Sequence, residues 1–197
     1  MTTSQNEQTE RPKTRGYGGL VTLGIVGSAA VAINVLAVPF LTPAVRKLGI
    51  PYVPATHRQL VCILSRLKKN SKRQHSSMVD LGSGDGRIVI AAAKRGFQAM
   101  GIELNLWLVL FSRARAILQG VSHLATFKRQ DMWKADLSKF DNVVVFGVDE
   151  VMGLMEEKVK SDVCPGTRVI VSRFRLPNTN HKEQIETGSG TVWVYEL

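Results

Sequence analysis

The chain has 197 residues, enough for one ordinary domain and an appendage, and carries a formal charge of +10. Its two cysteines, Cys62 and Cys164, are too few for a disulfide framework or a cysteine-rich metal site and read as small apolar fillers. The four histidines (His57, His75, His123, His181) are scattered and show no metal-ligand spacing.

In chain order, residues 1–15 are a polar tail. Arg11, Lys13 and Arg15 are partly offset by Glu7 and Glu10, and no amphipathic Arg-rich helix forms, so the tail is a poor transit peptide. Residues 16–45 follow without one charged side chain, and 18–41 (GGLVTLGIVGSAAVAINVLAVPFL) is long enough to cross a bilayer as a helix. A cleaved signal peptide is the competing reading, but its apolar core should be shorter and end in a small-residue cleavage site. The preferred reading is an uncleaved anchor that Pro39 and Pro43 end near the interface. Gly24, Gly27 and Ser28 suit a helix–helix contact or are simply tolerated in lipid. Downstream cations (Arg46, Lys47, then Arg58, Arg66, Lys68, Lys69, Lys72 and Arg73) place the C-terminal part, residues 46–197, on the cytosolic or matrix side.

A proline-punctuated connector at 49–55 leads to Thr56, a good N-cap for a helix over 57–69 with Leu60, Ile63, Leu64 and Leu67 on its apolar face. Strand and helix signals then alternate with the period of a parallel α/β sheet. Strands are expected at 77–81, 98–104, 124–130, 142–148 and 167–174, and helices at 87–95, 106–119 and 150–161. Gly96 and Gly120 close the first two of these helices, and Asn105 caps the second. The segments 181–187 and 191–197 flank Gly188-Ser189-Gly190, a hairpin signal that supplies a final antiparallel pair.

The segment between the first strand and its helix carries the chemistry. It reads Asp80-Leu81-Gly82-Ser83-Gly84-Asp85-Gly86, and Glu103 ends the second strand. Glycines in such a turn permit positive φ and close approach to a ligand, and the N–H groups of the following helix point at the same spot. A dinucleotide fingerprint would require glycine at position 87, which is Arg87, and a Walker loop would require Gly-Lys-Ser/Thr, which does not occur. Acids at two successive strand ends would repel a pyrophosphate.

This constellation resembles the S-adenosylmethionine motif of the seven-strand (class I) methyltransferases. The runs PYVPAT (51–56), VDLGSGDGRIVIAAAKRGF (79–97), GIELNLWLVLFSRARA (101–116), DMWK (131–134), NVVVFGV (142–148) and TVWVYE (191–196) narrow it further. Together they resemble the small, membrane-anchored mitochondrial protein-lysine methyltransferases. The anchor followed by VPFLTPAVRK and PYVPAT is nearest to the branch acting on the ATP synthase c-subunit; another branch acts on the adenine nucleotide translocase.

The resemblance implies an α/β class I methyltransferase sandwich, a mostly parallel seven-strand sheet with a C-terminal antiparallel hairpin, preceded by one N-terminal transmembrane helix. It implies a polar tail at 1–15, a membrane anchor at 16–45 and a methyltransferase domain at 46–197. The expected cofactor is S-adenosyl-L-methionine. The expected partners are the membrane and the ATP synthase c-subunit as protein substrate, with the catalytic domain on the matrix side of the mitochondrial inner membrane. Other readings are the same fold acting on the translocase or a small amine, or a membrane-bound module that binds the cofactor without turnover. A nucleic-acid substrate is not expected, since the fourth strand ends in Phe146-Gly147-Val148-Asp149 and lacks the Asn/Asp-Pro-Pro-aromatic signature of base amino-group methylases.

On this reading Asp80 holds the amino end of the cofactor, with Gly82, Ser83, Gly84 and Gly86 forming the close-approach turn. Glu103 accepts from the two ribose hydroxyls, and Asp131 meets the adenine amino group. Each acid has a plainer alternative as a strand-end or turn residue. Trp107 and Trp133 pack around the adenosine or fill the helix–sheet layer, with packing preferred for Trp107. Tyr52 and Thr56 are candidates to position the substrate lysine, together with backbone around 147–150. Asp149 and Glu150 read as surface acids opening a helix. Two departures from the family pattern stand out: Leu106 where proline is usual, and 174–180 (FRLPNTN) without the usual aromatic-rich run.

Overall fold

A computed structural model describes residues 54–197. The expected span at 16–45 and Tyr52 lie outside the described residues. Among the described residues no helix is long and apolar enough to cross a membrane.

The elements run α1 (His57–Arg66), β1 (Ser77–Leu81), α2 (Arg87–Ala93), β2 (Gln98–Glu103), α3 (Leu106–Leu118), β3 (Ala125–Arg129), β4 (Asn142–Phe146), α4 (Met152–Asp162), β5 (Arg168–Ser172), β6 (Glu183–Glu186) and β7 (Thr191–Glu196). The strands form one seven-stranded sheet in the order β3-β2-β1-β4-β5-β7-β6. β1 to β5 pair in parallel, and β7 runs antiparallel to both β5 and β6. β1 lies centrally and is buried along its whole length, as a strand covered on both faces must be. Strand order reverses direction between β1 and β4, and in open α/β sheets ligands bind at the carboxyl ends beside such a switch point.

Alternating side chains build two cores. Met78, Ala99, Phe127, Val144 and Ile170 face α1, α2 and α3. Val79, Leu81, Ile102, Val143, Val145 and Val169 face Met152, Met155 and Val159 of α4. The segment before β1 is fastened to the start of β4. Asp141 accepts from the Ser77 backbone N–H at 2.7 Å and from Asn70 at 2.8 Å, and Asn142 Oδ1 accepts from the Lys68 N–H at 2.6 Å. α1 stops three residues short of its expected end, with Leu67 as an extended C-cap.

The divergent segment 174–180 is not loose. The Leu176 N–H donates to the Tyr195 hydroxyl at 2.9 Å, and Glu156 of α4 accepts from Asn178 N–H, the Thr179 hydroxyl and Lys160. Burial alone would raise the Glu156 pKa. Bonds from Lys160, Thr179 and Asn178 outweigh it and lower the value from 4.5 to about 2.

A depressed native pKa contributes stability that is present above 4.5 and lost as pH falls toward about 2. Glu156→Gln is expected to cost about 1–3 kcal/mol near neutral pH, by the usual penalty for unsatisfied buried partners. Thermal melts from pH 7 to pH 3 check it: the wild type should lose its advantage on acidification, and the variant should lack that slope.

Candidate active site

The turn after β1 is hooked to β2, because the Gly82 and Ser83 N–H groups both donate to the Ile102 carbonyl at 2.9 and 3.0 Å. Gly82 and Gly84 take positive φ, +78° and +53°, where a side chain would be strained. Glu103 joins the turn to the next helix: its carboxylate accepts from Gly84 N–H at 3.1 Å and from Asn105 N–H at 2.8 Å. Asn105 then caps α3 by accepting from Trp107 N–H at 3.0 Å. With the cap in place, Leu106 at the first helical position leaves the entry to α3 regular.

A cleft of about 470 Å³ opens at the carboxyl ends of β1, β2, β4 and β5. Asp80, Glu103 and Asp131 line it together with Gly82, Ser83 and Gly84, so three acids distant in sequence converge on one space. Asp80 is buried, and its Oδ1 makes no hydrogen bond among the described residues; neither does Ser83 Oγ. Burial first, then the charges of Glu103 and Asp85, raise the Asp80 pKa to about 8. Asp131 caps a single 3₁₀ turn over Met132–Lys134, where its Oδ1 accepts from Trp133 N–H at 3.0 Å. Its capping role and its place in the cleft therefore coexist.

Several expectations are corrected. Gly86 does not line the cleft. A Cβ there would lie 2.7 Å from the Phe127 ring and 2.8 Å from Ser112 Cβ, so its bare backbone lets α2 pack against α3 and β3. Thr56 also lies off the cleft lining. It caps α1 through a reciprocal pair with Gln59, and its hydroxyl meets Ser189 Oγ at 2.7 Å. Trp107 does not fill the helix–sheet layer: it is 50% exposed at the cleft rim. Trp133 lines the cleft and packs against the α4 side of the sheet. Asp149 and Glu150, in agreement with their reading as surface acids, are exposed on a 3₁₀ turn just before α4 and lie outside the cleft lining.

Two features were not singled out from sequence. Asp85 binds Arg87 and Arg115, each at 2.9 Å, and Arg87 also donates to the Ala55 carbonyl at 2.8 Å. Burial raises the Asp85 pKa, but the hydrogen bonds and charge of Arg87, with the charge of Arg115, outweigh it and hold the value low. The only local signal was an acid two residues before the arginine that opens α2. Arg173, just past β5, lines the cleft with φ +81°, the one positive value at a non-glycine residue among the described residues. Such a conformation stores strain of order 1–3 kcal/mol and is often found at functional sites.

The arrangement fits S-adenosylmethionine. An orphaned buried carboxylate oxygen faces a cationic ligand's needs, and at Gly82 no atom stands within 4 Å of where a Cβ would sit, leaving open space beside bare backbone. Among the described residues no group of side chains could hold a metal ion.

Comparison with known proteins bears on the same fold. Residues 80–183 match the ANTKMT methyltransferase domain, and residues 11–46 match the N-terminal domain of the ATP synthase C-subunit lysine N-methyltransferase. The chain is 47% identical to an ATP synthase C-subunit lysine N-methyltransferase of Xenopus laevis, over 96% of this chain and 81% of that protein. It is 39% identical to the adenine nucleotide translocase lysine N-methyltransferase of Mus musculus, over 89% and 78%. A crystal structure of an RNA methyltransferase from Salinibacter ruber in complex with S-adenosyl-L-homocysteine superposes with a TM-score of 0.68 at 28% identity, covering 73% of this chain and 93% of that one.

The two kinds of glycine should separate on substitution. Gly82→Ala meets no neighbour and should cost about 1 kcal/mol of conformational strain, yet lose cofactor affinity. Gly86→Ala should lose about 1–3 kcal/mol or more from overpacking. Paired thermal melts and cofactor titrations check both. For Asp80, a native pKa raised from 3.8 to about 8 means that stability of the ligand-free protein falls as pH rises across that window. Asp80→Asn should flatten that fall, raise the melting temperature at pH 8 and weaken cofactor binding about tenfold or more while leaving it measurable.

Proposed function

Because this chain belongs to the family of ATP synthase C-subunit lysine N-methyltransferases, we propose that it methylates a lysine of that subunit, using S-adenosyl-L-methionine, at the mitochondrial inner membrane. The observation that carries the reading is the buried Asp80 with one oxygen unpaired, opposite Glu103 and over the glycine turn. The uncharged stretch at 18–41 and the match of residues 11–46 to the N-terminal domain of the c-subunit enzymes support the membrane part. A matrix-facing catalytic domain agrees with the cations that follow that stretch.

When bound, the cofactor supplies an electrophilic methyl on a positively charged sulfur. In this reading Asp80 pairs with its ammonium, and burial strengthens the attraction because little water screens it. Glu103 presents two oxygens to a diol while its backbone bonds fix their direction. Asp131 accepts from an exocyclic amine, and Gly82 and Gly84 let the main chain come close.

The far end of the cleft is lined by Phe146, Gly147, Val148, Val151, Met155 and Arg173. Among the described residues that end holds no carboxylate. An apolar wall and a guanidinium both disfavour a second cation, so a lysine ammonium entering there is pushed toward the neutral amine, the form that attacks. Its proton leaves to water at the mouth, and no general base is assigned. The chain's task is then alignment and exclusion of water.

Incubation of the protein with labelled cofactor and mitochondrial membranes should place label on a lysine of the ATP synthase c-subunit. Label confined to the translocase, to RNA or to small molecules would contradict the substrate, and binding without transfer to any fraction would contradict the enzyme. Glu103→Ala should weaken cofactor binding about five- to a hundred-and-fiftyfold, the fold-change that about 1–3 kcal/mol of lost pairing produces. Titration calorimetry reads it directly.

A further inference from the structure

We propose that the outer face of α3 is a lipid-contact surface that lays the cleft mouth against an anionic bilayer. α3 buries Leu108, Val109, Ser112 and Ala116 against the sheet. Its opposite face carries Trp107, Leu110, Ile117 and Leu118, with Leu104 just before the helix. At 100° per residue these fall on one stripe, so the helix is apolar on two sides where a surface helix needs one. Ile117 is 67% exposed and Leu118 85%. Contiguous apolar surface of this kind marks an interaction site.

Charge selects the occupant. No acidic residue stands between Glu103 and Asp131, whereas Arg113, Arg115, Lys128 and Arg129 do. Arg113 is held by the Phe127 carbonyl and Arg129 stands exposed on β3, the edge strand beside α3, whereas Arg115 is paired with the Asp85 carboxylate and Lys128 lies on the β3 face opposite Phe127. Apolar side chains rimmed by cations, with a tryptophan at the boundary, match the interface of an anionic membrane.

Reach permits the contact. Residues 42–53 separate the uncharged stretch from Pro54, the first described residue, and fully extended they span about 40 Å. The stripe is continuous with the cleft, since Leu104, Leu106 and Trp107 line its rim. Seating the stripe on lipid therefore turns the cleft mouth toward the membrane surface, where a lysine of an embedded protein would be met. The lipid contact itself does not depend on which acceptor is methylated.

The full chain, with Cys62→Ser and Cys164→Ser, is reconstituted in vesicles of phosphatidylcholine and phosphatidylglycerol. Nitroxide labels are placed through Leu110→Cys or Leu118→Cys, and through Glu157→Cys on exposed α4 as control. The labels at 110 and 118 should gain access to dissolved oxygen and lose access to a water-soluble nickel relaxant several-fold relative to position 157. Accessibility equal to that at 157 would overturn the proposal. Protection with dipolar broadening would assign the face to a second copy, and protection that persists in detergent without broadening would assign it to residues 1–53; either overturns it. A Leu110→Ser, Ile117→Ser, Leu118→Ser variant should raise KM for bilayer-embedded substrate at least tenfold while leaving kcat and cofactor affinity unchanged. Unchanged KM would also overturn it. Label depth is read without turnover, so an inactive enzyme would count against the proposed function alone.

Discussion

A carboxylic acid sits at the end of the central strand with one oxygen buried and unpaired, and the rest of the site is arranged around that fact. Taking Asp80 out of water disfavours its charge, and Glu103 and Asp85 disfavour it further. Among the described residues Asp85 is paired with two cations, Arg87 and Arg115, and Glu103 accepts two backbone hydrogen bonds, whereas Asp80 Oδ1 has no partner. All three line the cleft. A ligand that brings positive charge recovers what folding gave up there, which is why the site favours a cationic cofactor over a phosphate-bearing one. The central strands, buried on both faces, carry the stability that lets this strand end keep an unpaired polar atom.

Glu103 shows how one side chain serves both architecture and chemistry. By accepting from Gly84 and Asn105 it locks the glycine turn, the end of β2 and the start of α3 into one unit. The carboxylate oxygens thereby acquire fixed directions before any ligand arrives. Asp85 performs the complementary task on the other side of the turn, and through Arg87 it reaches the Ala55 carbonyl just ahead of α1. Among the described residues the cleft is preorganised by backbone bonds and ion pairs.

Much of this was legible in the sequence because the signals were local. Alternation of apolar strands and capped helices located every element from α1 to β7 within three residues, and the hairpin around Gly188-Ser189-Gly190 formed as read. Asp80 and Glu103 stood out by their places at strand ends and Asp131 by the resemblance of the DMWK run, and topology brings the three to one cleft. What was missed depended on packing. Gly86 belongs to the same motif as Gly82, yet its neighbour is Phe127 and not the cleft. Thr56 has the chemistry of a site residue and the position of a cap, and the cap prevailed. Trp107 was placed in the helix–sheet layer because aromatic rings favour burial, but α3 had already filled that face with Leu108 and Val109. Arg173 left no trace, since nothing in composition marks a left-handed residue that is not glycine or asparagine.

The most direct test of a buried acid gripping a cationic cofactor is the proton count on binding. Calorimetric titration of S-adenosylmethionine at pH 7 in buffers of different ionisation enthalpy measures it. With the Asp80 pKa at about 8 in the free protein, binding should release about one proton from that carboxyl, and Asp80→Asn should release none. Undiminished binding by the Asp80→Asn protein, or a proton count unchanged by the substitution, would contradict it.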